Sequence, residues 1–83
     1  MPKRKSAPSR EATGIALGKA IRDTRMRAGL TIAEVARASG IDQRHLSNFE
    51  RGERKISVYF LFRLTHGLGV SASNIVQQAE AHL

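Results

Sequence analysis

The stretch Thr31-Ile-Ala-Glu-Val-Ala-Arg-Ala-Ser-Gly-Ile-Asp-Gln-Arg-His-Leu-Ser-Asn-Phe-Glu-Arg51 decides the fold. Thr31 is a strong helix N-cap, and Glu34 three residues on completes a capping box, so a helix starts here with Ile32, Val35 and Ala36 on its inward face. It runs to about Ser39, where Gly40 suits a left-handed turn. Asp42 is the next cap. The helix after it, Gln43 to Arg51, turns Leu46 and Phe49 inward and Gln43, Arg44, Ser47, Asn48 and Arg51 outward. Ala36 is small where the two helices cross, and Ile41 plugs the corner that Val35 and Leu46 fill.

Outward from this centre the chain continues as short helices with explicit stops. Upstream, Leu17, Ile21, Thr24 and Ala28 recur at helical spacing before Gly29. Downstream, Gly52 closes the central helix. Ser57 then caps a fourth helix whose stripe is Val58, Leu61, Leu64, Thr65 and Leu68, ended by the Gly67 and Gly69 region. Ser71 or Ser73 opens a fifth helix through Ile75 and Val76. No segment alternates with period two, so the fold class is all-α, a compact five-helix domain over residues 15–83, without strands.

Two short helices joined across Ser39-Gly40-Ile41 match a helix-turn-helix, in which one helix braces the next and holds it outward. The outward side chains are amides and guanidinium groups, the donors and acceptors that read base edges in a major groove. With the flanking stretches Leu17 to Arg25, Ala28 to Ala36, Leu46 to Arg54 and Leu68 to Ser71, the chain resembles the phage-repressor and Cro type (XRE-like) of lambda-repressor-like domain over about Leu17 to Val76. The resemblance implies a DNA-binding domain that acts as a homodimer on inverted-repeat operators. By position it implies base reading by Gln43, Arg44 and Asn48 with Ser47 nearby, and a guanine contact for Arg44. It implies phosphate contacts at Thr31, Arg51, Arg54, Lys55 and Ser57, and an internal ion pair between Arg25 and Glu50. The chain departs from the pattern at Ile32, where glutamine is common, and at Glu53, an acid in a basic loop. Thr24 replaces a usual leucine and Gly67 a usual alanine, and these two predict a less tightly packed core.

Composition agrees with a polyanion partner. Fourteen Lys and Arg against seven Asp and Glu give a net charge of +7 on 83 residues, the electrostatic footprint of a nucleic-acid binder. Residues 1–14 carry Lys3, Arg4, Lys5 and Arg10 against Glu11, with two prolines and no apolar run to bury. They read as a flexible basic N-terminal arm, and the arm is expected to follow DNA phosphates rather than serve as a nuclear-import patch. Most of the positive charge still lies beyond it. A chain of this length holds one domain, which excludes a multidomain enzyme. It contains no cysteine, hence no disulfide staple or thiolate nucleophile. No apolar run reaches membrane-spanning length and no signal peptide is recognisable, so a cytoplasmic, soluble protein is expected.

Other readings are weaker. Asp42, His45 and Ser47 are triad types on one exposed helix with no pocket, and His45, His66 and His82 lack metal-site spacing, so neither catalysis, cofactor nor metal is expected. Gly67-Leu-Gly-Val follows no strand and reads as a helix stop. Tyr59, Phe60, Val76, Ala79 and Leu83 lie off the main stripes and are read as a two-fold dimer seam. The function expected is therefore a sequence-specific regulator, a repressor or restriction-modification controller. The alternative is an interaction module, such as an antitoxin or bridging factor, covering a protein partner such as a toxin or polymerase.

Overall fold

Every helix of the computed structural model, which describes residues 6–53 and 55–83, begins at a residue whose side chain accepts a backbone N–H of the first turn. Ser9, Thr31, Asp42, Ser57 and Ser71 take the amides of Ala12, Glu34, Arg44, Phe60 and Asn74 at 2.7–3.2 Å, each satisfying a donor that the helix itself leaves orphaned. The helices are α1 (Arg10–Arg27), α2 (Ile32–Ser39), α3 (Gln43–Glu50), α4 (Val58–Leu68) and α5 (Ala72–Glu80), with no strand among the described residues. None is long and apolar enough to cross a membrane.

The first boundary differs from the expectation. Residues 10–14, read as part of the arm, are the opening turns of α1, because Ser9 is a cap and Glu11 places a negative charge at the positive end of the helix dipole. Lys3, Arg4 and Lys5 lie outside the described residues.

Around the core, α1 packs on α3 and α5, α2 on α3 and α4, and α4 on α5. Ile21, Val35, Leu46, Leu64 and Ile75, one from each helix, are fully buried at its centre. Truncating Leu46 or Leu64 to alanine would cost about 2–5 kcal/mol. Gly40, at φ 66°, turns the chain between α2 and α3 in a conformation that a Cβ disfavours, and Ile41 is buried in the corner as the sequence suggests.

The loose core expected from Thr24 and Gly67 is not found. Thr24 is buried, donates its hydroxyl to the Ala20 carbonyl at 2.8 Å, and accepts from Gln78 Nε2 of α5 at 3.0 Å. A Cβ on Gly67 would collide with Ser39 Oγ, so the missing methyl is occupied space rather than a void. Gly18 has the same role on the other side of the molecule. A Cβ there would strike the carbonyl oxygens of Phe49 and Glu50, so α1 passes directly against the end of α3. Two expected stripe positions also move. Ala28 caps α1 and is exposed, and Val58 is 68% exposed at the start of α4.

Candidate nucleic-acid interface

Helix α3 is fixed from behind. Leu46 and Phe49 are buried, and the Phe49 ring meets Phe60 of α4 at 5.6 Å between centroids, with His45 beside both rings at 6.4 Å. Its last residue, Glu50, forms a bidentate pair with Arg25 of α1, Nε to Oε2 at 2.7 Å and Nη2 to Oε1 at 2.9 Å. The same guanidinium donates Nη1 to the Leu30 carbonyl at 2.9 Å, tying α3 to the turn before α2. Both side chains are largely withdrawn from water, with 13% and 5% exposed. The hydrogen bond to Glu50 outweighs desolvation and holds the Arg25 pKa above its ordinary value.

The opposite face of α3 is open. Gln43 and Arg44 are exposed and Ser47 is half-buried; with Asp42, His45 and Arg51 they line one shallow depression. Asp42 spends its carboxylate on the Arg44 amide at 2.7 Å, inside the helix, which leaves the Arg44 side chain outward. Asn48 is half-buried, and its Oδ1 accepts from Arg51 Nη2 at 2.7 Å. The expected base-reading residues are thus brought to one face, with Asn48 engaged by its neighbour.

The expected phosphate contacts divide. Thr31 and Glu34 complete the capping box, Thr31 N–H donating to Glu34 Oε1 at 2.9 Å. Those bonds, the backbone one first, hold the Glu34 carboxyl below its ordinary value of 4.5. Lys55 and Ser57 are exposed, and Ser57 caps α4. Arg54 lies outside the described residues. Lys55 and Arg10 line one depression, so the first turn of α1 joins the basic loop before α4.

Of the residues expected at a dimer seam, Val76, Ala79 and Leu83 line one groove, whereas Tyr59 and Phe60 lie elsewhere. Ala79 is buried in the core and Phe60 is half-buried against Phe49, so neither offers a free side chain. Val76 and Leu83 are exposed and share an apolar groove with Leu17, Ile56, Val58 and Leu61, and Ala79 lies at its floor. Tyr59 is exposed in a separate depression with Phe62 and Arg63.

Two residues not singled out in the sequence hold this arrangement. Arg63 of α4 donates Nε to the Ser39 carbonyl at 2.9 Å, capping α2 at the turn, and its guanidinium lies 5.4 Å from the Tyr59 ring centre. Gln78 of α5 bonds Thr24 and Asn74 and accepts from Arg27, joining α5 to α1. Ser39 and Thr24 lie 24 and 54 residues away from Arg63 and Gln78 in sequence, so no local pattern marks these cross-helix contacts.

Comparison with known proteins agrees with this geometry. A helix-turn-helix family model matches residues 21–75. An uncharacterized HTH-type transcriptional regulator, y4dJ, from Sinorhizobium fredii is 46% identical over 48 residues, 58% of this chain; the chain spans 62% of that relative's length. The clp gene regulator ClgR of Corynebacterium glutamicum is similar in structure, with a TM-score of 0.82 and 33% identity over 90% of this chain and 94% of that one. The restriction-modification controller C.AhdI of Aeromonas hydrophila has a TM-score of 0.75 and 26% identity over 77% of this chain and 97% of its own.

Proposed function

The chain belongs to the XRE-type helix-turn-helix family, and we propose that it is a sequence-specific regulator of transcription that binds double-stranded DNA as a homodimer on an inverted repeat. The observation that carries this reading is the two-sidedness of α3: Leu46 and Phe49 are locked in the core while Gln43 and Arg44 stand free on the other face. Such a helix enters a major groove without rearranging the fold. Gln43 matches the amide pattern that pairs with adenine, and Arg44 the fork that pairs with guanine N7 and O6. Thr31, Arg51, Arg54, Lys55 and Ser57 act on the backbone and set register, and the net charge of +7 draws the protein to DNA.

Repression by occupying DNA that polymerase needs is the mode we assign, on the pattern of a small controller. The similar proteins are regulators and controllers rather than enzymes. Lys3, Arg4 and Lys5 add phosphate contacts from the arm. Val76 and Leu83, with Ala79 beneath them, supply the dimer seam, since the groove they share is apolar and open at the surface. Selection from a random duplex pool at about physiological salt tests the reading, because specific binding should stand clear of the non-specific range of about 10⁻⁴ to 10⁻⁶ M. Enrichment of an inverted repeat is expected. Absence of enrichment by folded protein overturns the proposal in favour of a protein-interaction module.

A further inference from the structure

Helix α3 ends in a turn that brings an acid back onto its own arginine. Gly52, at φ 73°, lets its N–H reach the Phe49 carbonyl at 3.0 Å and lets the Glu53 N–H reach the Asn48 carbonyl at 3.0 Å. Glu53 is thereby set one turn back along the helix. Its carboxylate meets Arg51 at 3.3 Å, while Arg51 Nη2 donates to Asn48 Oδ1 at 2.7 Å. A residue placed to meet phosphate is thus occupied by one assigned to read a base and by an acid that repels phosphate.

We propose that Asn48, Arg51 and Glu53 form a latch that keeps Arg51 off the DNA backbone until Asn48 finds a base, so that Glu53 suppresses binding to non-cognate duplex. The inference rests on the DNA-binding reading above and assigns Glu53 to it as a specificity-determining residue. Side-chain exposures of 58% and 59% make the Arg51–Glu53 pair weak enough to open. On non-cognate DNA the Asn48 amide has no base partner and stays on Arg51. The guanidinium then keeps both neighbours, and one phosphate contact is not made. On a cognate site a base takes the Asn48 amide. Arg51 is left with a single solvent-exposed partner, which phosphate displaces.

The test compares wild type, Glu53→Gln, Arg51→Ala and the double variant on two duplexes: the one recovered by random-pool selection and a scrambled duplex of equal length and composition. Glu53→Gln should raise affinity for the scrambled duplex roughly fivefold, the worth of one freed Arg51–phosphate contact in a solvent-exposed setting. It should steepen the salt dependence by about one unit of slope, one more counterion released. Affinity for the selected duplex should rise less, so the ratio of the two falls. In the Arg51→Ala background both effects should vanish. An equal gain on both duplexes, or a gain that survives Arg51→Ala, would show plain repulsion by Glu53 and overturn the latch alone. Failure of the wild type to bind either duplex overturns the DNA-binding reading, and the latch with it.

Discussion

Gly67 in α4 and Ser39 at the end of α2 approach so closely that a Cβ on Gly67 would overlap Ser39 Oγ and lie 3.1 Å from both the Cβ and the amide nitrogen of Ser39. Gly67→Ala should therefore destabilise the protein by about 1–3 kcal/mol through overpacking, although alanine favours a helix interior by up to about 1 kcal/mol. Ser39 Oγ is also buried without a hydrogen-bond partner. Ser39→Ala should consequently be neutral or stabilising, and in that background Gly67→Ala should cost less. Urea denaturation of the two single variants and the double one measures the coupling.

The Arg25–Glu50 pair is the second structural test. Glu50→Gln keeps the shape but removes the charge from a withdrawn guanidinium, and should cost about 1–3 kcal/mol. Arg25→Lys should not substitute, since a point charge cannot make the two parallel bonds and the third to Leu30. Because the Arg25 pKa is raised, its contribution is fully present below the ordinary arginine range and is lost only in stronger alkali. Denaturation midpoints of both variants, taken between pH 6 and 9, should show a deficit that does not change with pH.

Acid acts on Glu34 instead. Its folded-state pKa lies below 4.5, so the stability it lends is present above 4.5 and is lost as pH falls through the folded value. Glu34→Gln should have a lower midpoint than the wild type at pH 6, and the difference should shrink as the pH is taken well below 4.5. A difference between the two proteins that does not change as the pH falls through the acid transition would mean that the capping-box carboxylate contributes nothing through its charge.

What was legible in the sequence was local. Thr31 with Glu34, Gly40, Asp42 and Ser57 act within four residues of themselves, and each sits where short-range capping or turn chemistry requires. The outward face of α3 follows from the inward spacing of Leu46 and Phe49. The start of α1 was missed because a basic, apolar-poor segment gives no periodic signal, and one serine cap decides it. Arg63 on Ser39, Gln78 on Thr24 and Gly18 beneath Phe49 depend on helices meeting in space, as does the burial of Ala79. Thr24 and Gly67 show the limit most clearly: apparent underpacking in sequence is filled by partners from α5 and α2.

On the DNA side, Arg44 carries the sharpest expectation. Its backbone is pinned by Asp42 and its side chain is exposed, so truncation removes contact chemistry with little effect on folding. Arg44→Ala should lose about 1–3 kcal/mol of discrimination at one base pair of each half-site. A Lys55→Ala variant should instead weaken binding to all duplexes and reduce the salt slope by about one. Competition binding with single-substituted duplexes separates the two behaviours. Unchanged sequence preference in Arg44→Ala would rule out its assigned role.

The dimer seam can be located by setting its two candidate faces against each other. Val76, 40% exposed, lies in the apolar groove with Leu83, whereas Tyr59 lies in another depression beside Arg63. A carboxylate placed in a two-fold seam meets its own copy as well as apolar surface, so Val76→Asp should dissociate a dimer built on the groove. Because the side chain is already partly in water, the fold should survive, as the helical circular-dichroism signal would show. Tyr59→Ser removes a still more exposed apolar surface on the other face and should leave the dimer intact. Sedimentation equilibrium at micromolar concentration distinguishes them. Dissociation by Tyr59→Ser and not by Val76→Asp would move the seam to the α2–α4 side, and a monomeric wild type would remove it altogether.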